Sequence, residues 1–242
     1  MLPPSCNSVE EDTKALLNEL EDSRVERPAW VAERYIGTRL RSLGTRKPAI
    51  HAIASKYVTA NKDSGLRRIH EVADELWHAG IFEARSLAAS ILMRFRRRLD
   101  RRTFDLLSGW YDDVDNWANC DDVSVFVLGE FMFRDEGITS DVSGWVQSTN
   151  PWRRRAAVTA TIPANREGRS DPRLVLDMVR SLLDDDDYYV KKSLGWVLRE
   201  LGKSKPEAVA AFLRLNKDKL QKDQLRKAVK YIPKDVSMRF MD

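Results

Sequence analysis

The sequence predicts an all-α protein, built as a curved solenoid of two-helix repeats. Helical periodicity, prolines at helix starts and a recurrence of 34–37 residues lead to this fold class. No segment alternates polar and apolar residues with period two, as a half-buried strand does. The 242 residues are 43% hydrophobic and 32% charged, which suits a folded helical protein and excludes a disordered chain.

Amphipathic helical patterns recur along the chain. The run 81–99 is expected to bury one face and to expose arginines on the other. Its apolar face comprises Ile81, Leu87, Ala88, Ile91, Leu92 and Phe95. Similar stripes occupy residues 123–133, 174–183, 190–201, 208–215 and 225–232.

Helix starts are marked by capping residues and prolines. Asn150-Pro151 and Asp171-Pro172 each combine an N-cap side chain with proline at the first helical position. Residues 204–207 fit a capping box, since Glu207 follows Ser204 by three residues. The four aspartates at 184–187 precede a helix, where they complement the helix dipole. We interpret them as a cap and not as a metal site.

A charged residue, basic in four helices out of five, recurs at one position of successive helices. The recurring residues are Arg85, Asp121, Arg155, Lys192 and Lys227, at intervals of 36, 34, 37 and 35 residues. Such a period is typical of two-helix repeats of the TPR and HEAT type. The sequence therefore predicts a single HEAT-like repeat domain over residues 1–242, an α-α superhelix. Residues 1–27 are expected to form a capping helix or to be partly disordered.

The charge distribution indicates a polyanionic partner. Seven arginines and one acid lie between Arg85 and Arg102, and residues 153–155 are three consecutive arginines. Equivalent positions of a solenoid form a column along one face. Here the column holds four cations and a single carboxylate, which favours a concave, basic face that binds nucleic acid. The alternative is a set of solvated helix faces that happen to be basic.

Other functional classes find little support. Cys6 and Cys120 are too few for a disulfide framework, and His51, His70 and His78 lack the spacing of zinc ligands. We therefore expect no metal and no cofactor. The sequence shows neither a secretory signal nor an apolar run of about 20 residues, so we expect a cytoplasmic protein.

Aromatic residues flank the charged column. Trp117 precedes Asp121 by four residues, and Trp196 follows Lys192 by four, so each pair shares a helical face. Aromatic side chains on a basic face stack on bases or sugars, although both tryptophans could instead belong to the core. Among cations Asp121 should be ionised, which suits stabilising a sugar cation or activating water. Its alternative role is an ion pair with Arg155 of the adjacent repeat.

Four stretches of the sequence resemble the AlkD-type DNA glycosylases, which are alkylpurine excision enzymes with HEAT-like repeats. The resemblance begins near residue 28 and covers nearly the whole remaining chain. The stretches are Arg34-Tyr35 to Leu43-Gly44, Trp117 to Asp121 with Leu128-Gly129, Trp152 to Ala157, and Gly195-Trp196 to Glu200 with Lys203 to Pro206.

This resemblance implies roles for individual residues. Asp121 matches the catalytic aspartate that stabilises the cationic sugar and positions water. Arg155 matches an arginine that holds the DNA backbone, and Trp117 and Trp196 match the two aromatics that contact the damaged nucleotide. Tyr35 falls near a tyrosine that contacts DNA. The column and its surroundings add four further DNA-binding candidates, namely Arg85, Arg154, Lys192 and Lys227.

Another register is possible within this resemblance. Trp110-Tyr111, followed by Asp115, also offers a tryptophan ahead of an aspartate. We prefer Trp117 with Asp121, because Leu128-Gly129 keeps the register and because Asp115 lies outside the repeating column.

The implied substrate is double-stranded DNA that carries cationic alkylpurines, such as N3-methyladenine or N7-methylguanine. Such a base leaves readily without protonation, so one ionised aspartate suffices, and hydrolysis would leave an abasic site. We expect a monomer, associated with the nucleoid, that acts on the sugar side of a stacked lesion across a shallow face without a pocket. The alternatives are a non-catalytic module for distorted or branched DNA and a protein-interaction solenoid.

Overall fold

Helices account for the regular structure of the described chain. The computed structural model describes residues 7–26 and 31–240, although nothing is described of the side chains at 31–33 and 239. Within these ranges the helices are joined by loops, and one isolated β-bridge links Arg41 to Ile81. The all-α prediction is confirmed. None of the helices in the described ranges is long and apolar enough to cross a membrane.

The chain divides into two compact units, Met1–Val127 and Leu128–Asp242, which are called unit 1 and unit 2 below. The helices of unit 1 are α1 (Val9–Asp22), α2 (Lys47–Ala60), α3 (Leu66–His78), α4 (Phe82–Arg94), α5 (Arg101–Trp110) and α6 (Trp117–Val123). Those of unit 2 are α7 (Gly129–Phe131), α8 (Glu136–Gly144), α9 (Pro151–Thr159), α10 (Ile162–Arg166), α11 (Pro172–Ser181), α12 (Tyr188–Gly202), α13 (Pro206–Asn216), α14 (Lys222–Ala228) and α15 (Lys234–Ser237). Residues Val31–Ile36 and Ser124–Leu128 are π-helical. The prediction of one domain over residues 1–242 stays a prediction.

Unit 1 consists of two helical layers. Helices α2, α4 and α6 lie side by side, and α3 packs against α4, α1 and α5. Because α4 has neighbours on several sides, residues 82–92 are buried all around the helix, including Arg85. The predicted amphipathic helix over 81–99 is therefore wrong in two respects. The helix ends at Arg94, and its first turns do not expose a face of arginines to solvent.

Unit 2 repeats the same plan. Helices α9, α12 and α14 lie side by side, and α10 and α13 pack against α12. Helix α12 is long, and its neighbour α14 approaches it closely at Gly195. A Cβ atom at Gly195 would lie 2.6 Å from the Gln224 Cα, so only glycine fits there. Gly129 is equally constrained, since a Cβ would lie 2.6 Å from the Ala160 carbonyl oxygen.

Side-chain hydrogen bonds show the repeat directly. In a stack of repeats, a residue contacts its counterpart one period away. In unit 1, Trp110 Nε1 donates to the Asp74 carboxylate over 36 residues, and Arg98 donates to the Ser64 carbonyl over 34. In unit 2, Arg166 pairs with Glu200 over 34 residues. These separations agree with the period of 34–37 residues read from the sequence.

Most predicted helix starts are confirmed. Asn150 accepts from the Trp152 amide, and Asp171 accepts from the Arg173 amide, with proline at the first helical position in both. Asp187 caps α12 by accepting from the Tyr189 and Val190 amides. The capping box at 204–207 is wrong, because the Ser204 hydroxyl donates instead to the Asn165 carbonyl, 2.7 Å away.

The start of the chain is described only in part. Residues 9–22 form α1, whose capping box joins Ser8 and Glu11. The expectation of partial disorder at residues 1–6, and at residue 27, lies outside the described residues, as does Cys6.

Candidate active site

Helix α6 carries the tryptophan and the aspartate that sequence reasoning singled out. The Asn116 side chain caps the helix by accepting from the Asn119 amide at 2.9 Å, which makes Trp117 the first helical residue. Asp121 follows one turn later on the same side. Trp117 is half-buried and Asp121 is 9% exposed. The helix therefore presents an aromatic ring beside a largely desolvated carboxylate.

The structure brings Tyr35 to Trp117. The indole Nε1 of Trp117 donates to the Tyr35 carbonyl oxygen at 3.1 Å. The two rings meet edge to face, with centroids 5.8 Å apart, and Tyr35 is 64% exposed. The residue predicted to contact DNA near the start of the chain thus lies beside the tryptophan predicted to contact the lesion.

Both rings line a wide cleft within unit 1. Its volume is about 1120 Å³, and its wall continues through the loop at residues 36–46. Three exposed arginines and one exposed lysine lie along this cleft: Arg24, Arg39, Arg46 and Lys47. Sequence reasoning missed these cations because the repeat column does not pass through the loop. The signal that could have revealed them is their position in the sequence, since all four lie within or on either side of the stretch from Tyr35 to Gly44 that carries the family resemblance.

Asp115 and Trp110, which offered the other register, have structural roles. The Asp115 carboxylate accepts from the Thr38 hydroxyl at 3.0 Å and from the Arg39 amide at 2.8 Å. Trp110 is buried and stacks on Trp77, with centroids 4.4 Å apart. Asp115 therefore holds the loop that follows Tyr35, which supports the choice of Trp117 and Asp121.

A second acidic residue next to Asp121 was also missed. Asp122 is 9% exposed, and its carboxylate pairs with the Lys47 ammonium and accepts from the Ser86 hydroxyl at 2.7 Å. This pair joins α6 to α2 and α4. Asp122, Lys47 and His51 line a cavity of about 370 Å³, so the expectation of a face without pockets does not hold for unit 1. Burial, followed by the charges of Arg94 and Lys47, lowers the pKa of His51.

Arg85 does not face solvent. It is 7% exposed, its guanidinium lies 4.6 Å over the Trp77 ring, and it donates to the Trp77 and Asp113 carbonyls. Burial lowers the pKa of this guanidinium. We therefore remove Arg85 from the candidate DNA contacts and assign it to the packing of α4.

Two of the three consecutive arginines are also engaged within unit 2. Arg155 is 5% exposed and donates to the Tyr189 carbonyl. Arg154 forms a bidentate ion pair with Asp185 at 2.6 and 3.1 Å and donates to the carbonyls of Ser148 and Thr149. Its hydrogen bonds to Asp185 raise the pKa of Arg154. Arg154 therefore holds the loop before α12 and has little capacity left for phosphate.

The remaining predicted residues of unit 2 lie on α12 and α14. Lys192 is exposed, Trp196 one turn later is half-buried, and Lys227 on α14 is half-buried near Asp223. Arg155, Lys192 and Lys227 occupy the fifth, fifth and sixth residues of helices that lie side by side. These three residues thus hold matching positions on adjacent helices, but Arg155 is buried, Lys227 is half-buried and Lys192 is exposed, so the predicted basic column stays a prediction.

The described residues contain no group of three or more histidine, cysteine, aspartate or glutamate side chains arranged to hold a metal ion. In particular, three of the four aspartates at 184–187 have other partners. Asp184 pairs with Lys219, Asp185 pairs with Arg154, and Asp187 caps α12.

Comparison with known proteins identifies the class. The family described as DNA alkylation repair enzyme matches residues 16–232. Among solved structures, AlkD2 from Streptococcus mutans has a TM-score of 0.62 at 18% identity, covering 93% of this chain and 99% of that one. A predicted DNA alkylation repair enzyme from Enterococcus faecalis has a TM-score of 0.68 at 14% identity, covering 96% and 99%. No curated protein matches the sequence.

The family match spans most of the chain. The protein therefore belongs to the DNA alkylation repair enzyme family, and its role lies in DNA alkylation repair. The solved structures, at these identities, show a shared all-α fold.

Proposed function

We propose that the protein is a monofunctional DNA glycosylase that hydrolyses the N-glycosidic bond of cationic alkylpurines and leaves an abasic site. The observation that carries this proposal is the arrangement on α6, where Trp117 lies one turn ahead of the desolvated Asp121 and packs against the exposed Tyr35. The cleft lined by the same two rings also holds Arg24, Arg39, Arg46 and Lys47 against Glu26 and Glu83, so cations are in excess where DNA would lie.

The chemistry follows from the charge of the lesion. An N3-methyladenine or N7-methylguanine base is already cationic, so it departs as a neutral purine and needs no general acid. The deoxyribose that remains develops an oxocarbenium charge, which an ionised carboxylate stabilises best where little water screens it. Water then adds to the sugar and passes its proton to the carboxylate. Asp121 is proposed for this role.

Other predicted residues enter as DNA contacts. In unit 1, Trp117 and Tyr35 present ring faces and edges suited to deoxyribose and backbone. In unit 2, Trp196 is proposed for the nucleotide contact that the family resemblance implies, and Lys192 and Lys227 for phosphates. Arg155, which the resemblance also implies, is buried and donates to the Tyr189 carbonyl, so we propose that it positions α12 and does not itself contact DNA. We propose double-stranded DNA as the partner and a monomer as the working form.

The test is base release from DNA treated with a methylating agent. The protein is expected to liberate 7-methylguanine and 3-methyladenine and to leave sites that are cleaved by alkali. The variant Asp121→Asn should lose at least about 100-fold in rate, as expected when one preorganised electrostatic group is removed. Its affinity for methylated DNA should remain within a few-fold of the parent.

Asp122→Asn is the matched control, because Asp122 is the next residue and is equally buried. It should retain release within about tenfold. If the parent releases no methylated base yet binds junctions or bulged DNA tightly, the protein is a non-catalytic module for distorted DNA. If it shows no salt-dependent affinity for DNA, it is a protein-interaction solenoid.

A further inference from the structure

An aromatic cluster on unit 2 is left unused by the proposed reaction. The Tyr188 and Tyr189 rings meet edge to face, with centroids 5.1 Å apart, and Trp152 lies 5.3 Å from Tyr189. Tyr188 is 61% exposed, whereas Tyr189 and Trp152 are half-buried. An exposed ring supported by two others is a large apolar surface that remains in contact with water.

The cluster is rigidly held at its base. The Tyr189 amide donates to the Asp187 carboxylate at 2.8 Å, and its carbonyl accepts from the Arg155 guanidinium. Tyr188 is held by Lys192, which lies one turn later on the same helix. The Lys192 ammonium lies 5.2 Å from the centroid of the Tyr188 ring and donates to the Tyr188 hydroxyl at 3.2 Å. Little conformational entropy is therefore lost when a ligand binds to this ring.

The position of Tyr188 relates the cluster to the proposed DNA contacts. Tyr188, Lys192 and Trp196 are spaced four residues apart on α12, so an aromatic, a cation and an aromatic follow one another along one side of the helix. Aromatic rings interleaved with cations are typical of surfaces that bind unpaired nucleotides, because every base has a π face to stack.

Charges of both signs lie near the Tyr188 ring, namely the Lys192 ammonium, which is proposed for phosphate, and the carboxylate of Asp186. Asp186 is exposed two residues earlier, while Asp184 and Asp185 are paired with Lys219 and Arg154. An exposed carboxylate repels phosphate but has little effect on a neutral base. The Lys192 ammonium can therefore hold a backbone phosphate, while the uncharged Tyr188 ring offers its surface to a neutral base.

We propose that the Tyr188, Tyr189 and Trp152 cluster stacks on an unpaired nucleobase of DNA. This inference rests on the proposed function, because excision of an alkylpurine leaves an abasic site opposite a base that has lost its partner. In a duplex both faces of a base are covered by its stacked neighbours. A base that has lost its partner leaves the stack at the lowest cost, so it is the one that can offer a face to Tyr188. The cluster would therefore retain the product of the reaction.

The test compares three duplexes: one fully paired, one with a tetrahydrofuran abasic site opposite a thymine, and one with tetrahydrofuran in both strands at that position. The full-length protein should bind the second more tightly than the third. Tyr188→Ala should lower the affinity for the duplex with one abasic site by about 5- to 100-fold, which is the usual effect of removing one aromatic side chain that stacks on a base. It should leave the affinities for the other two duplexes unchanged. Tyr188→Phe should keep the preference.

Tyr231→Ala is the matched control, because Tyr231 is another exposed tyrosine of unit 2 with the ammonium groups of Lys203 and Lys230 over its ring. It should leave the preference intact. Equal affinity of the parent for the second and third duplexes would overturn the inference, as would an equal loss on all three with Tyr188→Ala.

These outcomes are separable from those that test the glycosylase. Release of 7-methylguanine by the parent, with no preference for the unpaired base, would leave the glycosylase standing and remove the cluster's role. A preference that depends on Tyr188, in a protein that releases no base, would keep the cluster and remove the glycosylase.

Discussion

Charged residues at equivalent helix positions have different fates in this protein. Arg85 and Arg155 are buried and donate to backbone carbonyls, whereas Lys192 at the matching position is exposed. The planar guanidinium can satisfy several buried acceptors at once, which the single ammonium group of lysine does less well. The sequence shows which helix positions carry cations. It cannot tell a buried cation that packs helices together from an exposed one that can bind DNA, because burial depends on neighbours from other helices.

Lys192 and Arg154 allow this distinction to be tested at single residues. Lys192→Ala should lower the slope of log affinity for DNA against log salt by about one and leave the free energy of unfolding unchanged. Arg154→Ala should instead lower the free energy of unfolding by about 2 kcal/mol, because it removes the cation paired with Asp185 and the donor to two carbonyls. Salt titrations of DNA binding and urea unfolding check the pair. Equal loss of stability in both variants would contradict this account.

At the scale of the element, the sequence predicts features that depend on local chemistry but not those that depend on distant contacts. The period of 34–37 residues and the proline caps could be read from the sequence because they rely on local chemistry and regular spacing. The role of Ser204 could not, because its hydroxyl donates to Asn165 from 39 residues away. The same holds for Tyr35, which a contact over 82 residues brings to Trp117.

Two glycines of α12 test the close approach of α12 and α14. Gly195→Ala should lower the free energy of unfolding by about 1–3 kcal/mol, because its Cβ would meet Gln224 backbone atoms at 2.6 and 2.8 Å. Gly202→Ala, in the same helix, meets its nearest atoms at 3.8 Å and should change stability by less than about 1 kcal/mol. Thermal or urea unfolding measures both. Equal stability of the two variants would show that the helices do not approach as described.

The packing of α10 on α12 carries a pH dependence through Glu200. Burial acts to raise the pKa of Glu200, but hydrogen bonds from Arg166, Lys203 and Arg199 together lower it to about 2. A lowered pKa contributes stability above the ordinary value near 4.5, and this stability is lost as pH falls from there towards 2.

Glu200→Gln should therefore reduce the free energy of unfolding by about 2 kcal/mol at neutral pH, given that the three cations are partly exposed. The difference between parent and variant should shrink between pH 4.5 and pH 2. Unfolding curves at several pH values measure it. A difference that stays constant over this range would argue against an ionised, paired Glu200.

At the scale of the whole molecule, the repeat plan accounts for where the site residues lie. Both units place helices of successive repeats side by side, α2, α4 and α6 in one and α9, α12 and α14 in the other. The resemblance to the AlkD-type glycosylases, confirmed by the family match, directed attention to Trp117 and Asp121. The cleft, Lys47 and Asp122 come from loop and inter-helix contacts, which no single helix pattern contains.

The central claim is that Asp121 stabilises the sugar cation as an alkylpurine departs. It is tested most directly by the single-turnover rate of 7-methylguanine release from a duplex with one lesion, measured for Asp121→Asn and Asp122→Asn against the parent. We predict a loss of at least about 100-fold for Asp121→Asn and less than about tenfold for Asp122→Asn. Release by Asp121→Asn at the parent rate would contradict the claim.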